Sequence, residues 1–139
     1  MKHQERMQEK ALGTLPRLQK GPVGPAPKLK KPLQTVIDVV ASWTGVTKTV
    51  HWHFADQSRV DGIDFYVSDE ELGHVHLDGE IHLATTQTLA DELVAQGSAR
   101  HFRYQTGWVE ADIQCIGNAA AVELFRRNYE RVLQVIQVS

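Results

Sequence analysis

Between Gly73 and Leu83 the chain alternates apolar and polar side chains one for one on either side of a short break: His74, Val75, His76, then Glu80, Ile81, His82, Leu83. A period of two sends successive side chains to opposite faces of a strand and gives an α-helix no continuous apolar stripe. The same pattern reads strands over Thr49–Phe54, Gly62–Ser68, Leu72–Leu77, Glu80–Ala84 and Trp108–Ile116. Val50, Trp52, Phe54, Val75, Leu77, Ile81 and Leu83 then point to the core. His51, His53, His74, His76 and His82 take the opposite, polar face, five of the seven histidines. In the last strand Val109, Ala111, Ile113 and Cys115 face inward, and Trp108, Glu110, Asp112 and Gln114 face out.

The break between the two central strands fixes their register. A two-residue Asp78-Gly79 loop would set Leu77 opposite Glu80 and mix the faces. A three-residue loop of Leu77, Asp78 and Gly79, with Gly79 left-handed, instead pairs His76 with Glu80, Val75 with Ile81 and His74 with His82. The faces then agree, and directly opposite Cβ atoms lie ~4.5–5.5 Å apart.

Helices are expected on either side of these strands. Pro32 suits a first helical turn, where its missing N–H costs nothing, and Val36, Ile37, Val39, Val40 and Trp43 follow as a stripe that ends by Gly45. A second helix is read over Thr86–Gln96, stopped by Gly97, and a last one from Asn118 with Val122, Leu124, Phe125, Tyr129, Val132 and Leu133 inward. The expected fold class is α+β: a mainly antiparallel sheet of about five strands with three helices packed on one face.

Residues 1–31 read differently. Prolines and glycines crowd the first 27 positions and oppose both helix growth and strand pairing. This flexible basic Pro/Gly-rich tail carries eight of the fifteen Lys and Arg against Glu5 and Glu9, a charge of +6, which leaves −8 on the domain at 32–139. A basic arm can bind phosphates, but this one has no aromatic residue to stack on bases, and the acidic body would repel a nucleic acid. No apolar run is long enough to span a bilayer, and no apolar segment follows the N-terminal charges as in an export signal. The lone Cys115 excludes an intrachain disulfide and a thiolate zinc site, and a reducing, cytoplasmic setting fits it. It reads as an inert core thiol.

The histidine face has several uses open to it. Imidazoles at alternate strand positions beside a carboxylate can hold a divalent metal with a position left for water or substrate; His74, His76 and His82 would then be the ligands. One of them can instead act as general base, because an unperturbed imidazole exchanges protons near neutral pH. The plain alternatives are an exposed sheet face on which histidine is a tolerated polar residue, and a face buried by a second copy in a homodimer. Trp108 can stack on an aromatic ligand or close the edge of the core, and Glu71 can orient His101 or a metal or stand as a solvated turn charge.

In order, Trp43-Thr44-Gly45-Val46, His51, Asp61-Gly62-Ile63-Asp64-Phe65 and Glu71-Leu72-Gly73-His74-Val75-His76 resemble the luciferase-like domain family. This family holds many small bacterial proteins and the fungal luciferases. The likeness continues through Leu89-Ala90-Asp91-Glu92-Leu93-Val94, Gly97-Ser98-Ala99, His101, Thr106-Gly107-Trp108-Val109 and a last helix with Leu124 and Tyr129. It covers roughly residues 33 to 135. In the fungal branch a hydroxylated pyrone is oxidised by O₂ with light release, and no organic cofactor is consumed. The resemblance therefore implies a small aromatic or enolic ligand, a cofactor-independent oxygenase chemistry, catalytic roles for His74, His76 and His101, and substrate contacts from His51, Glu71 and Trp108; His82, which stands where other members commonly carry an acidic or polar residue, joins the substrate contacts through its place opposite His74 on the polar face. A non-catalytic binding or protein-interaction module on the same face is the alternative, and a metal-dependent enzyme the third reading.

Overall fold

The structure, a computed structural model, describes residues 22–138. Residues 1–21, most of the expected tail, lie outside the described residues. From residue 22 the chain runs extended beside the first strand: the Gly24 carbonyl accepts the Val50 N–H at 3.1 Å, and Trp52 Nε1 donates to the Pro22 carbonyl at 2.8 Å. Ala26 and Leu29 pack against the core.

Helix α1 (Lys31–Ala41) starts on Pro32 and buries Leu33, Val36, Ile37 and Val40. Four strands follow: β1 (Val46–Trp52), β2 (Val60–Val67), β3 (Glu70–His76) and β4 (Glu80–Leu83). Helix α2 (Gln87–Ala95) is capped by the Thr86 hydroxyl, which accepts the Leu89 N–H at 3.3 Å. Strands β5 (Arg100–His101) and β6 (Val109–Asp112), a single turn α3 (Ile113–Ile116) and the long helix α4 (Asn118–Val138) complete the chain. Among the described residues the strands form one antiparallel sheet in the order β1-β2-β3-β4-β6-β5.

The α+β class and the antiparallel sheet agree with the sequence reading; the additions are the two-residue β5 and the one-turn α3. The core lies between the sheet and α1, α2 and α4. Ile63, Phe65, Val75, Ile81, Leu83 and Val109 come from the strands, and Leu93, Leu124, Phe125 and Val132 from the helices. No helix among the described residues is long and apolar enough to cross a membrane.

Three expectations fail at strand ends. Strand β3 stops at His76, so Leu77, expected inside, lies in the turn and is 42% exposed. The strand expected over Trp108–Ile116 stops at Asp112, whose side chain accepts the Gln114 N–H at 2.8 Å and caps α3. Helical rotation keeps Ile113 in the core but turns Cys115 out to solvent, so the cysteine is not a core thiol. Strand β1 ends at Trp52 after a bulge, and the chain turns through the His53–Arg59 loop, closed by the His53 N–H to the Arg59 carbonyl at 2.9 Å. Phe54, expected inside, is 87% exposed.

The expected three-residue turn is present. His74 pairs with His82 and Val75 with Ile81, Gly79 has φ +97°, and its N–H donates to the His76 carbonyl at 2.9 Å.

Candidate functional site

Strand register lines up one polar side chain per strand across the whole sheet. Thr49 on β1 pairs with Asp64 on β2, Asp64 with His74 on β3, His74 with His82 on β4, His82 with Glu110 on β6, and Glu110 with Arg100 on β5. A second row sets His51, Gly62 and His76 side by side. Four of the five histidines assigned to the polar face meet there: His51, His74, His76 and His82. His53 lies in the loop after β1 and stacks on Phe54 instead, ring centroids 5.2 Å apart.

Each of three imidazoles is held at Nδ1 by its own carboxylate. His51 Nδ1 lies 2.7 Å from Asp64 Oδ1, His74 Nδ1 3.1 Å from Glu71 Oε2, and His76 Nδ1 2.9 Å from Asp61 Oδ2. An ionised carboxylate only accepts, so these contacts place the ring proton on Nδ1 and the lone pair on Nε2. The Nε2 atoms of His74 and His76 both face His82 Nδ1, at 3.1 and 3.2 Å. His51 stacks on His74 with centroids 4.0 Å apart.

The cluster is largely buried. Asp64 has no solvent exposure and His74 is 7% exposed. Burial, then neighbouring His76 and His51, pushes His82 down to about 3, so it is neutral at ordinary pH. Burial likewise lowers His76, with His51 adding to the effect and Asp61 opposing it. Beyond His82 stand Glu80 and Glu110, each 4.0 Å from its Nε2 and each 3.3 Å from Arg100. Burial first, then repulsion from Glu110, raises the Glu80 carboxyl to about 7 against the pull of Arg100.

An aromatic wall closes one side. Phe102 stacks on His82 with centroids 4.2 Å apart, and the buried Trp108 lies 6.0 Å from His74 and 6.3 Å from Phe102. Trp108 thus packs at the edge of the core while bordering the histidines.

The remaining expected residues divide. Glu71 belongs to the site, but it orients His74 rather than His101. His101 stands apart, half exposed on β5, with Nε2 3.5 Å from Asp91 on α2. Its neighbour Phe102 is the residue that reaches the cluster, because adjacent side chains there point oppositely. Asp61 and Asp64, which the sequence reading quoted within the Asp61–Phe65 segment without a site role, and Phe102, which it did not single out, carry the site's geometry. For Asp64 a signal existed: Ile63 and Phe65 on either side point inward, so Asp64 must share the histidine face.

Three groupings bring ring nitrogens and carboxylate oxygens within 4.8 Å of one another, which is close enough for a metal to be considered: His51, His74 and His76; Asp64, Glu71 and His74; and Glu80, His82 and Glu110. A hollow of about 260 Å³ lies elsewhere, lined by Leu93, Gln96, Ile116 and Arg127 among others. It contains no histidine.

A family model described as Luciferase domain matches residues 69–126. This span holds Glu71, His74, His76, His82, His101 and Trp108, and leaves out β1 and β2 with His51, Asp61 and Asp64. No curated protein and no solved structure matches the chain.

Proposed function

We propose that this protein, whose residues 69–126 match a family model described as Luciferase domain, binds a small aromatic or enolic molecule on its histidine face and catalyses its oxidation by O₂, a histidine acting as general base. The observation that carries the reading is the carboxylate at Nδ1 of each of three imidazoles. A base must be neutral, aimed and firmly held before it accepts a proton. Glu71 and Asp61 do this for His74 and His76, leaving Nε2 to take an acidic enol proton, and the resulting enolate is electron-rich enough to react with O₂. Phe102 and Trp108 offer the flat apolar border that an aromatic ligand needs. No organic cofactor is consumed in this reading, and a cytoplasmic setting belongs to the same proposal.

The test is a panel of hydroxypyrones and related enols added to the full chain, read by oxygen consumption and by the imidazole Cε1–H signals in NMR. Binding is expected to move the signals of His51, His74, His76 and His82 and to leave those of His53 and His101 in place. Replacing both His74 and His76 by Gln is expected to cut oxygen uptake at least 100-fold, in line with the usual contribution of a positioned base. A panel that moves none of the four signals, or uptake unchanged in the double variant, would refute the reading.

A further inference from the structure

The contacts around the cluster leave two lone pairs facing one N–H. Asp64, Glu71 and Asp61 fix the proton of His51, His74 and His76 at Nδ1. Both His74 Nε2 and His76 Nε2 then present acceptors to the single Nδ1 of His82.

The same contacts are those that ready a histidine to ligate. Metal-bound imidazoles nearly always donate their second ring nitrogen to a carboxylate or carbonyl, which fixes the tautomer and raises ligand basicity. Here all three rings have such a partner, and the one on His51 comes from a side chain with no solvent exposure. Ring nitrogens of His51, His74 and His76 lie within 4.8 Å of one another. Metal–nitrogen bonds of ~2.0–2.1 Å need ligand nitrogens ~3.3 Å apart in a tetrahedron, so the rings must draw together and the stacked His51 and His74 must turn out of their parallel arrangement to aim at one ion.

We propose that His51, His74 and His76 form a three-histidine site for a divalent first-row metal ion, with Asp64, Glu71 and Asp61 as positioning carboxylates and a coordination position left open toward His82. An all-imidazole set favours Zn²⁺, Fe²⁺, Ni²⁺ or Cu²⁺ over Mg²⁺ or Ca²⁺, which prefer oxygen. The inference concerns the histidine face of the proposed function but does not depend on its substrate. If it holds, His74 and His76 act as ligands and not as the general base of the proposed function.

The experiment uses the full chain without an affinity tag, stripped by chelator and titrated with Co²⁺ and with Zn²⁺ alone. One tightly held equivalent is expected, with the visible bands of low-coordinate cobalt(II). His51→Gln and His76→Gln should each weaken binding at least tenfold. Asp64→Asn, which removes no ligand, should weaken it by about 10–100-fold and be read alongside a melting curve to separate positioning from loss of fold. His53→Gln and His101→Gln should change nothing. Should the ligand variants not fold, wild-type NMR decides: Zn²⁺ must shift the Cε1–H signals of the cluster and spare those of His53 and His101. Absence of a bound equivalent, or binding that survives both ligand substitutions, overturns the site. Hydroxypyrone binding without metal binding refutes this inference alone; metal binding without any hydroxypyrone effect refutes the proposed function alone.

Discussion

Asp64 and Asn128 are both fully buried polar side chains, and both act on the histidine face, one directly and one through the backbone. Asp64 touches His51 at 2.7 Å and stands 3.7 Å from His74. Asn128 on α4 donates its amide to the Leu72 carbonyl at 2.8 Å and to the Ala84 carbonyl at 3.2 Å, and accepts from Arg131 Nε at 2.8 Å. Asn128→Ala removes these bonds inside the protein and is expected to cost about 1–3 kcal/mol in urea denaturation, with the His74 resonance shifted as Leu72 and Glu71 relax. A cost near zero would show that the surrounding bonds suffice. Glu80 gives a pH prediction. Its folded pKa, about 7, lies above the ordinary value of 4.5, so its contribution to stability is full below 4.5 and is lost as pH rises through 7. Glu80→Gln keeps the shape without the charge, and Arg100 retains Glu110. The variant's stability relative to wild type should therefore climb between those two values and level off above them, read from urea midpoints across the window. An offset independent of pH would refute the assignment.

Element geometry decides which of these residues can meet. Phe65 pairs with Gly73 but Tyr66 with Glu71, so Leu72 is an extra residue in β3. This bulge lets Leu72 sink into the core and returns Glu71 to the side of His74, three residues away, where simple alternation would separate them. Gly62 stands between His51 and His76 in its row, with φ +150°, and an added Cβ would lie 2.0 Å from the Val75 carbonyl oxygen. Gly62→Ala is expected to cost at least ~1–3 kcal/mol through backbone strain and to separate the two rings, as seen in a lower melting temperature and shifted imidazole signals. A silent substitution would mean that the strand pair yields more easily than its contacts imply. At the end of β6, the Asp112 cap exposes Cys115. One equivalent of a thiol reagent should react with the native protein, and Cys115→Ser should change stability by less than about 0.5 kcal/mol. Protection until unfolding would restore the core assignment.

For the molecule as a whole, the sheet can serve as a rigid platform only because α1, α2 and α4 cover its other face. Phe125 is fully buried and meets Phe65 edge-on at 5.4 Å. Phe125→Ala should cost about 3–5 kcal/mol, a large share of the ~5–15 kcal/mol typical of a domain, and loosen the histidine face with the core in one transition by fluorescence and NMR. Two separate transitions would show the sheet and helices to be independent. Local alternation and turn chemistry determined much by themselves: the antiparallel α+β class, the Leu77–Gly79 turn, the His74–His82 pairing, and the shared side of His51, His74, His76 and His82. Each follows from the period of two and from what one glycine permits, both properties of neighbouring residues. Tertiary structure alone decided the rest. Pairing between β2 and β3 placed the bulge that recovers Glu71, and the β2 register brought Asp61 and Asp64 under the rings. The hairpin after Trp52 removed His53 and Phe54 from their expected faces. Strand β5, two residues long, is too short to show a period, so only its pairing with β6 could turn His101 toward Asp91 and Phe102 toward His82. Periodicity reports which side of a strand a residue takes; it is silent on which distant carboxylate will lie beside it, because that depends on strand order and register across the sheet.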